Sequence, residues 1–264
     1  MKETRPSRSR NRMLRKASLL ISALLFPVTM LYLSPGIVFR GARLGVVSGS
    51  YFTFAILLLG SIFTGRIWCG FLCPGGGLGE MACAVKNAPF TRGKLKAVKY
   101  VVWGLWLIAI VIVAVFVGGG FHAVDPFLGT EKGISIHSIE LFPFYYLVIG
   151  LILSLSFLLG RRGFCHSICW MAPFMVVGRA FGTLLRLPAI RLTARRARCT
   201  GCKACATACP MSLPVSDLVQ AGECEHVDCI LCGECVRSCP ESALAIEFRR
   251  PMTAEKTDAV VDRP

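Results

Sequence analysis

Four long runs of uncharged, mostly apolar residues dominate the first two thirds of the chain. They cover residues 17–39, 44–65, 100–124 and 141–160. A helix that crosses a bilayer needs ~20 predominantly apolar residues, so each run predicts one membrane span. Pro27 and Pro35 lie in the first run and predict a kink, which transmembrane helices tolerate. The pattern therefore predicts a mainly α-helical membrane protein with four transmembrane helices.

The number of lysine and arginine residues alternates between high and low from one loop to the next. Seven precede the first run, two lie at 40–43, six at 66–99, one is Lys132, and eight lie at 161–198. Cytoplasmic loops of membrane proteins carry the excess of positive charge. We therefore expect a multi-pass protein of the cytoplasmic (inner) membrane, in contact with membrane lipid, with both termini and the cysteine-rich segments on the cytoplasmic side.

The composition changes after residue 198, where two cysteine runs follow each other at a distance of thirty residues. Both have the pattern C-x2-C-x2-C-x3-C-P: Cys199, Cys202, Cys205 and Cys209, then Cys229, Cys232, Cys235 and Cys239. In such a run three thiolates bind one cubane cluster and the fourth binds the other. The spacing thus predicts two 4Fe–4S clusters. The predicted ligands of cluster 1 are Cys199, Cys202, Cys205 and Cys239; those of cluster 2 are Cys229, Cys232, Cys235 and Cys209.

Zinc is the alternative metal for these cysteines, because paired C-x2-C elements also form zinc ribbons. A tetrahedral zinc site uses four ligands, however, and does not require eight in this repeat. The pattern favours an α+β, bacterial-type two-cluster ferredoxin-like domain at 199–248. The other predicted segments are a basic cytoplasmic N-terminus (1–16), the membrane domain (17–178), a basic interfacial tether (179–198) and a polar tail (249–264). Cys224 is expected to be a free buried thiol.

Two further cysteine pairs follow the second and fourth apolar runs. Each pair is spaced C-x3-C and begins three residues after an arginine; the residues are Arg66, Cys69 and Cys73, then Arg162, Cys165 and Cys169. An apolar segment too short to cross a bilayer follows each pair, which suits a re-entrant or interfacial helix. The two halves therefore look like a degenerate repeat about ninety-six residues apart. A pseudo-two-fold between them would bring the four thiols together near the cytoplasmic membrane face.

Three roles remain open for these four membrane cysteines. They could hold an iron–sulfur centre or a soft metal such as Cu(I), or each pair could cycle between dithiol and disulfide. They could also simply pack where the chain turns. An arginine one helical turn away favours the thiolate that the first two roles require.

Overall charge and motifs narrow the class of function. The chain has 30 Lys and Arg against 15 Asp and Glu, a net charge of +15. The basic residues flank the apolar runs, so we expect no nucleic-acid partner. Residues 199–248 instead carry seven acids and two bases, which predicts an acidic lobe facing a basic redox partner. No nucleotide-binding or hydrolytic motif is present, so an electron-transfer component is expected rather than a stand-alone catalyst.

The combined motifs resemble a known family. W-C-G-F-L-C-P after the second run, F-C-H-S-I-C after the fourth and the two C-terminal cysteine runs are similar to the NapH-type membrane ferredoxins, which are related to the membrane parts of NosR, MauN and CcoG. The resemblance implies two cytoplasmic 4Fe–4S clusters on the eight cysteines above. It also implies electron exchange with the quinone pool or a membrane redox partner. One departure is Trp170, which stands where the second membrane motif usually has proline.

The resulting hypothesis is a membrane-anchored protein that passes electrons between the quinone pool, or a membrane partner, and a reductase or maturation partner. The alternatives are a metal-handling assembly factor, which binds or reduces copper at the membrane cysteines, and a redox sensor. A quinone is a further expected cofactor, with aromatic rings available at Trp68, Trp103, Trp106 and Trp170.

Overall fold

The computed structural model describes residues 5–222 and 225–251, with side chains from residue 9 onward. The first part of the chain forms α1 (Arg5–Leu24), α2 (Phe26–Thr29), α3 (Pro35–Leu44), β1 (Val46–Ser48), α4 (Gly49–Thr64), α5 (Ile67–Phe71) and α6 (Pro74–Val85). Cys224, the first four residues and most of the predicted polar tail lie outside the described residues.

The second part of the chain repeats the order of the last five of these elements, from α3 to α6, and ends in a small lobe. It forms α7 (Val98–Phe116), β2 (Ala123–Asp125), α8 (Phe142–Leu159), α9 (Gly163–Ser167) and α10 (Ala172–Leu184). The lobe comprises β3 (Ala189–Ala194), α11 (Ala204–Thr207), α12 (Val215–Gln220), α13 (Glu234–Ser238) and β4 (Leu244–Arg249). We call residues 5–188 the helical part and residues 189–251 the C-terminal lobe.

Two helical stretches are long and apolar enough to cross a membrane, namely Gly93–Phe116 and Ile139–Leu159. They coincide with the third and fourth predicted spans. Their large aliphatic side chains face outward: Leu105 on α7 is 64% exposed, and Leu147 on α8 is 67% exposed. Apolar surface on this scale is unusual for a protein surrounded by water.

The first two apolar runs differ from their predictions. Residues 17–39 were expected to form one kinked span, but the chain there breaks into the end of α1, the short α2 and the start of α3. Pro35 begins α3, and the Ser34 hydroxyl caps it by accepting from the Gly36 N–H at 3.2 Å. The second run forms α4, whose 16 residues are fewer than the ~20 needed to span.

Each half of the helical part packs its last helix against a helix of the other half. Helix α6 of the first half packs on α8 of the second, and α10 of the second packs on α4 of the first. Close approach of α10 to α4 requires glycine: a Cβ at Gly178 would lie 2.1 Å from the Leu58 carbonyl oxygen. The turns that carry the membrane cysteines are thereby brought to the same end of the helical part.

The C-terminal lobe begins earlier than predicted. The segment 179–198 was expected to be a basic tether, but it continues α10 and then supplies β3, which pairs antiparallel with β4 from Ala189–Arg249 to Ala194–Leu244. Arg191 of this strand is only 1% exposed. One continuous apolar core includes residues of both the helical part and the lobe. The lobe is therefore packed onto the helices and does not hang from a linker.

Candidate functional site

Two cavities of the C-terminal lobe are each lined by four cysteines. One cavity, called site 1, is lined by Cys199, Cys202, Cys205 and Cys239. The other, called site 2, is lined by Cys209, Cys229, Cys232 and Cys235. Each site combines three cysteines of one run with the fourth cysteine of the other. These are the two sets that the spacing of the runs predicts for clusters 1 and 2.

The backbone repeats the thirty-residue duplication around the two sites. Three pairs of residues with positive φ stand thirty positions apart: Gly201 and Leu231, Lys203 and Gly233, Ser212 and Ser242. Lys203 and Gly233 immediately precede α11 and α13, the single helical turns that carry the third cysteine of each run. Positive φ is uncommon outside glycine, so its recurrence at non-glycine positions shows that both runs adopt the same tight loop.

These loops direct backbone N–H groups at the sulfur atoms. Cys209 accepts from Met211 and Leu213, and Cys229 accepts from Leu231. At site 1 the Ala243 N–H lies 3.3 Å from the Cys239 sulfur. Hydrogen bonds of this kind help to set the potential of an iron–sulfur cluster. Both sites therefore provide the donors that such a cluster uses.

The chemistry of the two sites fits cubane clusters better than single ions. Within the described residues, no three Cys, His, Asp or Glu side chains converge closely enough to hold one metal ion, as a tetrahedral zinc site would require. A cubane instead presents four separate irons to four thiolates. Burial raises the pKa of Cys229 to about 12. Metal loading must therefore displace thiol protons and is favoured by higher pH.

The four membrane cysteines form a second cysteine cluster, which we call the quartet. Cys69 lies on α5 and Cys165 on α9, while Cys73 and Cys169 stand just before α6 and α10. All four are at most 6% exposed. The Cys73 thiol accepts from the Gly76 N–H and the Cys169 thiol from the Ala172 N–H. The two halves therefore hold their second cysteine in the same way.

The arginine that precedes each pair is buried beside the quartet. Arg66 is 2% exposed and Arg162 is fully buried. Arg162 donates to the Cys69 carbonyl at 2.7 Å and to Glu80 at 2.6 Å. Several guanidinium nitrogens, Nε and NH2 of Arg66 and Nε of Arg162, have no hydrogen-bond partner among the described residues. Buried, unpaired donors next to thiols favour an anionic occupant of the quartet.

Site 2 lies directly on one of the quartet's turns. Gly70, between Cys69 and Cys73, packs against the loop of the second run. A Cβ at Gly70 would lie 2.6 Å from the Ile230 carbonyl oxygen and 3.6 Å from the Cys232 Cα atom. Site 1 includes Cys202, which is exposed to solvent. Site 2 is therefore the inner site, next to the quartet, and site 1 reaches the surface.

His166 and three of the tryptophans considered for quinone binding contact other residues of the chain. His166, at the position equivalent to Gly70 in the other half, stacks on Phe90 at 4.4 Å. Trp103 and Trp106 make edge contacts with Phe174, and the Trp170 ring N–H donates to the Leu33 carbonyl at 2.8 Å. These three tryptophans therefore make contacts within the protein.

Buried ion pairs join the helical part to the lobe, and sequence analysis did not identify them. Asp228, beside Cys229, accepts from Lys99 at 2.7 Å and from Arg66 at 3.1 Å. Glu234, beside Cys235, pairs with Arg15 and with Arg12, each at 3.1 Å. The only sequence signal was an acid next to a cysteine of the second run. Both acids hold site 2 against the helices.

The acids of residues 199–248, which were predicted to form an acidic surface, divide between ion pairs and solvent. Three of its acids are engaged with cations of the helical part or of β3: Asp228, Glu234 and Glu225, which pairs with Arg191. Around site 1 the exposed charged residues are mostly basic, namely Arg195, Arg196, Arg198 and Lys203, with Glu241. Part of the negative charge counted from the sequence is thus neutralised by ion pairs, while Asp217, Glu241 and Glu247 remain exposed.

Two family profiles match the chain over these same segments. A 4Fe–4S dicluster domain matches residues 198–244. A 4Fe–4S binding domain matches twice, at residues 49–94 and 141–188, which supports the internal repeat. The chain carries 4Fe–4S ferredoxin-type domains. The second profile covers both halves of the quartet as well as the helices that position it.

Several known proteins are similar to this iron–sulfur protein over most of its length. An uncharacterized protein of Methanocaldococcus jannaschii is 24% identical over 72% of this chain and 68% of its own length. YccM of Escherichia coli K12, named for electron transport, is 25% identical over 76% of this chain and 56% of its own. The methylamine utilization ferredoxin-type protein MauN of Methylobacillus flagellatus is 26% identical over 62% and 52%. No solved structure matches.

Proposed function

We propose that this chain is a membrane-anchored electron-transfer protein of the NapH type, which carries electrons between the quinone pool or a membrane redox partner and a reductase or maturation partner. Two 4Fe–4S clusters, bound at sites 1 and 2, supply one-electron carriers. The observation that carries the proposal is the contact of Gly70 with the Ile230–Cys232 loop. Together with the exposure of Cys202 in site 1, this contact supports an electron path from the quartet through site 2 to site 1.

A membrane setting is supported by the exposed apolar surfaces of α7 and α8. An aqueous surface of that composition would be an aggregation hazard, whereas lipid covers it without cost. The excess of Lys and Arg at 66–99 and 161–198 favours the cytoplasm for the quartet and the lobe. In that compartment thiols remain reduced and available for cluster loading.

For the quartet, the proposed role is a third iron–sulfur centre. Four buried thiolates and a cubane carry net negative charge, which the two buried guanidinium groups of Arg66 and Arg162 would balance. The repeated match to a 4Fe–4S binding domain supports this assignment over packing alone. The residues that would hold the centre are Cys69, Cys73, Cys165 and Cys169.

Iron analysis of the anaerobically purified chain tests this assignment. Three cubanes predict about twelve irons per chain, and a Cys69→Ala/Cys165→Ala variant should contain about eight. The variant should also lose cluster reduction by duroquinol, because the inner entry point is missing, while dithionite still reduces both remaining clusters.

A Cys83→Ala variant serves as the control, because this half-buried thiol of α6 lies outside all three sets. It should keep the iron content and the quinol-driven reduction of the native chain. Equal iron and equal reduction in the quartet variant would exclude a redox role for the membrane cysteines. Retention of copper in place of iron at the quartet would favour the metal-handling alternative.

The soluble partner should be acidic where it meets site 1. Arg198 and Lys203 line this site beside Cys202, and the Arg195 N–H donates to Ala243, which also lines it, at 2.8 Å. Complementary charge accelerates encounter between redox proteins at low ionic strength. The basic surface around site 1 therefore favours a partner with a negatively charged docking face.

Small charged oxidants test this surface without knowledge of the partner. In inverted membrane vesicles, replacing Arg195, Arg196, Arg198 and Lys203 with glutamine should slow reoxidation of the reduced clusters by ferricyanide about tenfold at low salt. Reoxidation by hexaamminecobalt(III) should become faster, and both effects should vanish at high salt. A Lys86→Gln/Lys94→Gln control should change neither rate. Equal ferricyanide rates in right-side-out vesicles would contradict the cytoplasmic placement.

A further inference from the structure

A cavity of about 340 Å³ lies where α10, β3 and the loop that precedes site 2 meet. Four residues of α10 on one helical face form one wall: Val176, Arg179, Ala180 and Thr183. Arg191 of β3, Arg66 between α4 and α5, Glu225 and His226 complete the polar lining. The cavity is distinct from the quartet and from site 1. It adjoins site 2, with which it shares the lining residues Leu192, His226, Cys229 and Leu231.

Positive charge is in excess around this cavity. Arg66, Arg179 and Arg191 enter from three different elements, and Glu225 is the one carboxylate among the described lining residues. Glu225 pairs with Arg191 and lies 3.5 Å from Arg179. The carboxylate that Arg66 contacts, Asp228, is shared with Lys99. Among the described residues, cations therefore outnumber carboxylates by at least two.

Arg179, like Arg66, has an unused donor. The Arg191 guanidinium donates to Glu225, to the Thr183 hydroxyl and to the Arg249 carbonyl. By contrast, the buried NH1 nitrogen of Arg179 has no partner among the described residues. Burial and the like charge of Arg191 also lower the pKa of Arg179. An anion that accepted from Arg179 would satisfy the donor and offset the repulsion.

An apolar strip adjoins the cavity along α10. Val177, Phe181 and Leu184 each follow directly after a lining residue of α10. Their side chains are 44%, 52% and 78% exposed. Their spacing of four and three residues places them on one side of α10. A ligand with an anionic head and an apolar tail could occupy the cavity and the strip together. A neutral quinone head would leave the excess positive charge unbalanced.

We propose that this cavity binds a phosphate group, supplied by an acidic phospholipid whose acyl chains lie on Val177, Phe181 and Leu184. Arg179 donates to the phosphate oxygens, and Arg66 and Arg191 contribute positive potential from the other walls. The lipid then lies between α10, β3 and the Glu225–Leu231 segment and joins the lobe to the helical part. Basic pockets between helices at the cytoplasmic face bind phospholipid headgroups in this way.

Lipid binding to the full chain tests the proposal. In native mass spectrometry the detergent-purified protein should retain one phosphatidylglycerol molecule per chain, and added phosphatidylglycerol should raise its thermal unfolding midpoint. Phosphatidylcholine, whose headgroup is neutral overall, should raise it less. An Arg179→Gln variant should bind phosphatidylglycerol about 10- to 100-fold more weakly, as expected for loss of a hydrogen bond to a charged group.

Two further variants keep the test decisive if Arg179→Gln lowers expression. Arg179→Lys retains the charge and should recover part of the affinity, and Lys94→Gln, an exposed cation remote from the cavity, should bind as the native chain does. Equal stabilisation by inorganic phosphate would assign the site to free phosphate rather than lipid. Equal binding by the native chain and Arg179→Gln, or a copurified quinone displaced by the same substitution, would overturn the proposal.

Discussion

Alanine at Cys209 should remove the cluster of site 2, although Cys209 belongs to the first cysteine run. Its sulfur lies with Cys229, Cys232 and Cys235 around that cavity, so the substitution leaves site 1 with all four of its thiols. We expect iron to fall by about four atoms per chain. The electron paramagnetic resonance spectrum that remains should match the spectrum of a Cys235→Ala variant.

Paired substitutions separate crossed ligation from ligation within each run. With crossed ligation, Cys209→Ala/Cys235→Ala should lose no more iron than either single variant, because both residues serve site 2. Cys209→Ala/Cys205→Ala should lose about eight irons, because it damages both sites. Ligation within each run predicts the reverse pattern of losses. Cys83→Ala is the matched control for the loss of a thiol outside the sites.

The grouping of the eight cysteines was accessible from sequence because short-range spacing determines it. A C-x2-C-x2-C loop closes within seven residues, and the turn at Pro210 or Pro240 directs the fourth thiol away. Duplication at thirty residues then places each fourth cysteine beside the partner loop. The equal φ angles of Ser212 and Ser242, 50° and 51°, show how closely the two copies agree.

Hydropathy predicted the last two spans better than the first. Helix α7 and helix α8 follow long aliphatic runs without interruption. The first run is also apolar, but Pro27 lies in the first turn of α2, and Pro35 begins α3, which Ser34 caps. A hydropathy average treats such residues as neutral, while the backbone treats them as helix boundaries. Apolar composition alone therefore does not determine helix length.

Counting charges along the sequence did not identify the buried ion pairs of the lobe, because these pairs join residues far apart in the chain. Glu234 and Arg15 are 219 residues apart, and Asp228 and Arg66 are 162 residues apart. Each acid looks like solvated lobe surface until the lobe is packed on the helices. By contrast, Arg195, Arg196, Arg198 and Lys203 of the lobe itself are exposed near site 1. The sign of the docking face therefore depends on where the charged residues of the lobe lie and not on their sum.

Replacing Asp228 with asparagine should weaken the packing of the lobe on the helical part, which we call the junction. The effect should exceed that of substituting any exposed residue. The carboxylate is 2% exposed and accepts from Lys99 and Arg66. Its loss leaves two buried cations without a counter-charge, a change that costs about 3–5 kcal/mol. Native-state proteolysis between helices and lobe should accelerate about 10² to 10³-fold, because cleavage follows the population of the open form.

The stability of the junction should also depend on pH, because Asp228 must be ionised to pair with its two cations. Burial alone would raise the pKa of Asp228, but Lys99 and Arg66 outweigh it and hold the pKa well below its usual range. Its stabilisation is therefore complete above the unfolded pKa of about 4 and is lost as the pH falls further. Asp228→Asn should abolish this acid-dependent part.

Asp217→Asn, at an exposed acid of the same lobe, should change neither proteolysis nor its pH profile. Asp228→Asn/Lys99→Met should recover part of the stability that Asp228→Asn loses. If Asp228→Asn resembled Asp217→Asn, the buried ion pairs would not hold site 2 against the quartet.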